Sequence, residues 1–380
     1  MRQPRSDHRP RRFARAVAGA AVALAAVLGA GGWAADTQRA ITGPPPGTAA
    51  WIADTTLGLR LPDPATASPA AVAAFFEQVP AAGQDALAVR HPLVVGNLDG
   101  APVRLRYRAN ALALAEERGR ELARATDPAL PPRDQATAHG RAERYRTLLD
   151  GGRQVLAFDP RGRGLVAEVH GDLTATGRTA VVVPGSDIDL LSFDRPTDPY
   201  GTPTGMARAL YDATGRQSAV IAWAGYTTPV GLGPDAATET LARAGAQRLT
   251  RLLDGLAVTT RPTAPATVFC HSYGSVVCGL ARPGPEQAAG LVVLGSPGMG
   301  VDSAADLDPR VPLWATGRNG SDWIGNVPNV SLLGLGHGAD PTDPGFGARP
   351  LPATGSHGHT GYFAPGTASL AAFAALTLGR

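Results

Sequence analysis

Between residues 154 and 317 the chain falls into seven short apolar runs, at 154–159, 164–170, 179–184, 218–223, 266–270, 290–295 and 311–317, separated by helical stretches or Gly/Pro turns. Several are continuously apolar over four to six residues. A strand with one wet face would alternate, so unbroken runs such as AVVV and VFC predict strands covered on both faces of a parallel sheet. Helical patterns at 207–213, 236–256 and 275–281 supply crossovers. The first two runs are joined only by Pro160-Arg161-Gly162-Arg163, too short for a crossover, which predicts an antiparallel pair at the sheet edge. The expected fold class is therefore α/β, with a mostly parallel central sheet and antiparallel edge strands.

Ahead of this unit, residues 51–150 read as a helical accessory region. Segments 70–79, 110–126 and 139–149 are rich in Ala, Glu and Arg with apolar residues at helical spacing, and 92–108 reads as an irregular or hairpin insert punctuated by Gly96, Asn97, Asp99 and Gly100. Residues 36–50 contain the linker TGPPPG, and 151–380 form the expected catalytic domain. Residues 1–35 combine six Arg with the charge-free run AVAGAAVALAAVLGAGGWAA, the pattern of an export signal or N-terminal membrane anchor. They predict a protein outside the cytoplasm, secreted or held at the cell envelope.

All 35 basic residues other than His are Arg, and the chain has no Lys. That excludes Walker-A NTPases, protein kinases, Schiff-base enzymes and Ser-x-x-Lys hydrolases, each of which needs the amine. The formal charge is +3, but the surplus sits in the leader. Beyond residue 15 there are 29 Arg against 31 acids, so no nucleic-acid partner is expected. The only cysteines, Cys270 and Cys278, rule out a disulfide scaffold or multi-cysteine metal site; one bridge between them is permitted but not required.

The chemistry concentrates at residues 266–279, ATVFCHSYGSVVCG, a β-run, then Cys270-His271-Ser272-Tyr273-Gly274, then a helix. This is the arrangement of a nucleophile elbow, which lifts a serine hydroxyl above the sheet. Ser272 is the candidate nucleophile, with Cys270 in place of the usual first glycine. If an acid and a base follow in chain order, Asp322 in RNGSDWI is the acid, with a helix N-cap as its competing role. Asp302 is the alternative acid. Three histidines follow Asp322. His359 in GSHGHTGYF is the candidate base, His357 the alternative, and His337 lies in a turn-dense loop that shapes or covers the pocket. His271, beside the serine, is expected to face the interior or the pocket wall. The oxyanion hole is expected from the Tyr273 amide and one from Gly185, Ser186 or Asp187. A zinc set of His337, Asp340, His357 and His359 can be drawn, but it leaves the elbow serine without a role; neither metal nor cofactor is expected. Trp223, Tyr226, Trp314, Trp323, Tyr362 and Phe363 also fall near the strand ends and are candidates for an apolar pocket or for core.

From about Trp51 to Gly379 the chain resembles an uncharacterised α/β-hydrolase family common in actinobacteria, a domain of unknown function within the α/β-hydrolase superfamily. The resemblance is carried by VGNLDGAPVRLRYRAN at 95–110, AVIAWAGYTTP, HSYGS, VLGSPGMGVDSAADL, SDWI, HGADPTDPGFGA, and GHTGYF followed by PGTASL. It implies the α/β-hydrolase fold and a Ser272–Asp322–His359 triad, with Cys270 departing from the glycine usual in such members; it implies no substrate. The resulting expectation is an exported serine hydrolase acting on an ester-type bond of a small-molecule or lipid-like acyl substrate. The competing expectation is a catalytically silent hydrolase-fold protein serving binding or envelope association.

Overall fold

The computed structural model describes residues 37–260 and 264–380; the leader reading at 1–35 lies outside them. The N-terminal part is helical: α1 (Thr48–Ala53), α2 (Pro69–Gln78), α3 (Ala81–Arg90), α4 (Pro92–Gly96), α5 (Val103–Ala125) and α6 (Pro132–Leu149). The hairpin reading of 92–108 is incorrect. Pro92 opens α4 at a position where its missing N–H costs nothing, and Val94, Val95 and Val103 turn inward as core. Their β-propensity gives way to burial. Gly96 closes the helix because a Cβ there would sit 2.1 Å from Asn110 Oδ1. Residues of α1 to α5, including Trp51, Phe76, Leu87 and Leu105, form their own core. Helices α5 and α6 also reach the sheet, placing Leu114, Tyr145 and Leu148 against Phe158 and Val166. No helix among the described residues is long and apolar enough to cross a membrane.

The sheet comprises β1 (Gln154–Asp159), β2 (Leu165–His170), β3 (Thr179–Val183), β4 (Ala219–Ala224), β5 (Ala266–His271), β6 (Ala288–Leu294) and β7 (Leu313–Thr316), with β10 (Arg349–Leu351) as its eighth strand. The strand order is β1-β2-β4-β3-β5-β6-β7-β10. Strand β2 pairs antiparallel with both β1 and β4, and every pairing from β4 to β10 is parallel. The mixed sheet expected from the apolar runs is thus present. Alternate residues feed opposite faces: Val181, Ile221 and Val268 pack on one side, Val182, Val220 and Phe269 on the other. Helix α7 (Pro203–Ala213) and the C-terminal α11 (Ala368–Leu378) cover the second face; α9 (Thr240–Thr259), preceded by α8 (Pro234–Ala237), and α10 (Gly274–Ala281) cover the first. The helix expected at 236–256 is interrupted at Thr238 and Glu239. Two short strands that the apolar pattern did not mark, β8 (Ser331–Leu332) and β9 (Leu335–Gly336), form a hairpin outside the main sheet.

From β3 the chain first moves outward to β4 and then returns to place β5 on the other side of β3. That reversal opens a crevice at the carboxyl ends of β3 and β5, where open α/β sheets bind ligands.

Candidate active site

The β5–α10 turn projects Ser272 into this crevice. Ser272 holds a left-handed φ of +55°, a strained conformation for a non-glycine residue. It is fixed on both sides. Its amide donates to the Leu294 carbonyl at 3.0 Å, and Gly274 lets α10 close on β3, where a Cβ would lie 2.5 Å from the Val183 carbonyl oxygen. Cys270, two residues before the serine, is disulfide-bonded to Cys278 in α10. Where a glycine would merely leave room, cysteine ties the strand to the helix across the turn. Gly185, after β3, is equally tight: a Cβ there would lie 2.5 Å from Ser272 Cβ and 2.9 Å from Oγ.

Asp322 follows β7 and His359 follows β10, and the parallel sheet brings both loops over the elbow. His359 Nδ1 lies 2.8 Å from Asp322 Oδ1. Facing a carboxylate, Nδ1 carries the proton, which leaves the lone pair on Nε2. The same Oδ1 accepts the Ile324 amide at 3.0 Å, so Asp322 caps the following turn and holds the imidazole at once. Its Oδ2 accepts the Tyr362 hydroxyl at 2.5 Å. Burial disfavours the Asp322 carboxylate, but the bonds from His359, Tyr362 and Ile324 prevail and hold its pKa below the ordinary value. Burial raises the Tyr362 phenol, and the hydrogen bond to Asp322 raises it further, so it stays a donor.

The loops that carry Asp322 and His359 are latched to each other. Asn319 Nδ2 donates to the Gly358 carbonyl at 2.9 Å, and the Gly358 amide donates to Ser321 Oγ at 2.8 Å. From beneath, His271 Nε2 lies 2.8 Å from the His359 carbonyl oxygen and must donate to it. Burial, reinforced by the nearby His359, lowers the His271 pKa to about 3, so this residue is a neutral prop. Trp323 lies against the other side of the imidazole, ring centres 4.5 Å apart. His359 Nε2 is buried without a partner; it and Ser272 line one cavity without a hydrogen bond between them. Apo sites often show that slack, which closes when substrate arrives.

The cavity holds about 510 Å³, within the roughly 300–1,000 Å³ usual for small-molecule sites. Gly185, Ser186 and Tyr273 border the serine, and among the described residues nothing accepts the Tyr273 or Ser186 amide. Asp187 also lines the cavity, but its amide already donates to the Pro229 carbonyl at 2.8 Å. The rest of the wall is mainly apolar, with Ile324, Val327, Leu335 and Ala236 among its members.

The structure therefore brings together Ser272, His359, Asp322, Tyr273, Gly185 and Ser186. It leaves out the two alternatives: Asp302 and His357 are exposed and absent from the cavity wall. The residues of the zinc alternative are committed elsewhere, Asp340 to Arg318 at 2.7 Å and His337 to the Ala236 carbonyl at 2.7 Å. No cluster of three potential ligands occurs among the described residues. Of the aromatic candidates, Trp323 reaches the cavity, while Tyr362 and Phe363 are core. Sequence reading missed Tyr362 as the partner of Asp322, and Asn319 and Ser321 as latches; proximity to GHTGYF and SDWI was their only signal.

Residues 159–332 match a family model described as alpha/beta hydrolase. An uncharacterized protein of Mycobacterium tuberculosis is 28% identical over 350 residues, covering 77% of this chain and 53% of its own length. A second, from Mycobacterium bovis, is 37% identical over 128 residues, covering 33% and 46%. The chain spans about half the length of these curated relatives. Among solved structures, Thermogutta terrifontis esterase 2 phosphonylated by cyclosarin covers 60% of this chain and 92% of its own at 12% identity, with a TM-score of 0.33; the apo form of that esterase scores 0.29 at 11% identity. The match over residues 159–332 and the sheet order, with the elbow at the end of β5, give the chain an α/β-hydrolase fold.

Proposed function

We propose that this protein is an exported serine hydrolase that cleaves ester bonds carrying an apolar acyl group. The observation that carries the reading is the His359–Asp322 pair, set over an elbow serine in one cavity. On substrate binding, Ser272 Oγ turns toward His359 Nε2, gives up its proton and attacks the ester carbonyl. The developing oxyanion faces the Tyr273 and Ser186 amides beside Gly185, donors already positioned before reaction. His359 then protonates the leaving alcohol. Water, deprotonated by the same nitrogen, releases the acyl group from Ser272.

The apolar wall supports the acyl preference, and so does the mouth of the cavity. Leu232, Leu332 and Leu333 line it and are 68%, 49% and 94% exposed. Leu333 occupies the β8–β9 turn at φ +53°, a position where Asn or Gly is the common choice. A leucine held there in water favours contact with lipid-like substrates or an envelope surface. The leader and the Cys270–Cys278 bridge support export, since disulfides persist in oxidising compartments.

A fluorophosphonate probe tests the assignment: labelling at Ser272, lost in Ser272→Ala, is expected. Asp322→Asn should lower p-nitrophenyl butyrate turnover about 10⁴-fold, with longer acyl chains preferred over acetate. Folded protein that takes no label, or an unimpaired Asp322→Asn, refutes the proposal.

A further inference from the structure

A second cavity of about 230 Å³ lies in the seam between the N-terminal helical part and the sheet. Its wall carries four arginines, Arg106, Arg161, Arg248 and Arg251, against two carboxylates, Asp99 and Asp159. Both carboxylates are already engaged. Asp159 is gripped by Arg161 through bonds of 3.0 and 2.6 Å, and Asp99 by Arg106 at 2.9 Å. Arg251 donates to the Ala67 carbonyl at 3.2 Å.

Arg248 stands apart. Its Nε donates to the Gly225 carbonyl at 2.5 Å, but among the described residues its terminal amino groups have no acceptor and no ion pair. Arg248 is half-buried, and desolvation lowers its pKa. Asp159 and Asp99 lie near enough to offset part of that cost, but both are gripped by other arginines, so the Arg248 terminal donors remain open to a ligand. Trp223 lines the same cavity, and its Nε1 lies beside Gly225, 2.1 Å from where a Cβ on that glycine would be. No described residue accepts this N–H, so donors of both side chains lie near Gly225 without a protein acceptor.

We propose that the seam cavity is a binding site for an oxyanion, the phosphate or carboxylate group of a small ligand, held by the Arg248 terminal amino groups and the Trp223 indole N–H. Planar guanidinium donors match such oxygens in a two-pronged geometry. An anion seated there links β4 and α9 to the covering segment at residues 41–45 and to Asn97 and Arg106, and so fastens the helical part to the sheet. The site also adjoins the active site: Trp223 stacks on Tyr226 with ring centres 5.9 Å apart, and Tyr226 stacks at 6.5 Å on Tyr273, next to Ser272.

Thermal unfolding of the full chain tests this with inorganic phosphate and, separately, acetate, each exchanged for chloride at a constant ionic strength of about 0.1 M so that general screening is unchanged. The expected result is a rise in Tm of about 2–4 °C with one or both anions at roughly tenfold excess over Kd. A larger rise with phosphate identifies a phosphoryl ligand, and a larger rise with acetate a carboxylate. Arg248→Gln should abolish the rise while keeping a wild-type circular dichroism spectrum and cooperative unfolding in chloride. Trp223→Phe should weaken the rise. No shift with either anion, or equal shifts in wild type and Arg248→Gln, overturns the proposal.

Discussion

Gly185→Ala probes the reacting centre by geometry alone. The backbone there is not left-handed, so alanine is conformationally acceptable, and the whole effect comes from one methyl group. That methyl would lie 2.5 Å from Ser272 Cβ and 2.9 Å from Oγ, whereas ordinary contacts begin near 3.4 Å. Ser272 must therefore yield by about 0.9 Å, and it is already held by the Leu294 carbonyl and by its own strained φ. Displacing a reacting atom by about 1 Å costs on the order of 100-fold in rate, equivalent to about 2.7 kcal/mol of barrier. Overpacking should cost a further 1–3 kcal/mol or so of stability. The assay is kcat/KM on p-nitrophenyl butyrate, with the fluorophosphonate labelling rate as a readout independent of substrate fit. Circular dichroism melting separates rate loss from unfolding. Gly140→Ala in α6, where a Cβ meets open space, serves as control: unchanged activity and a gain of up to about 1 kcal/mol from helix propensity. A folded Gly185→Ala variant within about threefold of wild type on both readouts would show that Ser272 is not the reacting atom as placed here.

Tyr362→Phe removes the 2.5 Å hydrogen bond to Asp322 Oδ2, one of the contacts that lowers the carboxyl pKa. The acid limb of kcat/KM should move to higher pH, with a loss of roughly tenfold at the optimum; an unmoved limb would show that the phenol does not hold Asp322. Replacing Cys270 and Cys278 together with alanine opens a bridge of sequence separation 8 and should cost about 2–3 kcal/mol on the loop-closure relation, read as a lower urea midpoint. An unchanged midpoint would refute a stabilising bridge. His271, with a native pKa near 3 against 6.5 unfolded, binds fewer protons folded than unfolded between those values. Its contribution to stability is therefore complete above about pH 6.5 and declines as pH falls toward 3, with a limiting slope of about 1.4 kcal/mol per pH unit. Urea unfolding at stepped pH should show a shallower decline for His271→Gln than for wild type, and equal slopes would contradict a neutral buried imidazole.

The sheet was legible because its signal is local. Strands covered on both faces must be apolar at every position, and runs such as TAVVV and GLVVL announce this whatever surrounds them. The hairpin reading of 92–108 went wrong for the converse reason. Val94, Val95 and Val103 favour strands, and only tertiary packing reveals that they are buried helical residues, Val94 and Val95 in the core built from α1 to α5 and Val103 against the sheet. Strands β8, β9 and β10 have two or three residues each, too few to leave a period, and β10 exists only because the edge of β7 offers its backbone a partner.

The candidate site divides along the same line. Residue order alone marked the elbow, since strand, Ser272, Gly274 and helix are contiguous and their steric demands lie within a few residues. The chain also showed, through its lack of lysine, that histidine must supply any base for Ser272. Choosing among Asp302, Asp322, His357 and His359 was different, because each has a plausible local setting. The tertiary structure brings Asp322 and His359 together by laying β7 and β10 side by side, so that loops 37 residues apart open on the same crevice. Hydrogen bonds from Tyr362, Asn319 and His271 then fix the pair. The same dependence on packing joined Cys270 to Cys278 and left the Arg248 terminal amino groups facing a seam cavity without a protein acceptor. Periodicity reports which way a side chain faces, but which distant group it meets is set by the sheet order and by the burial that order creates.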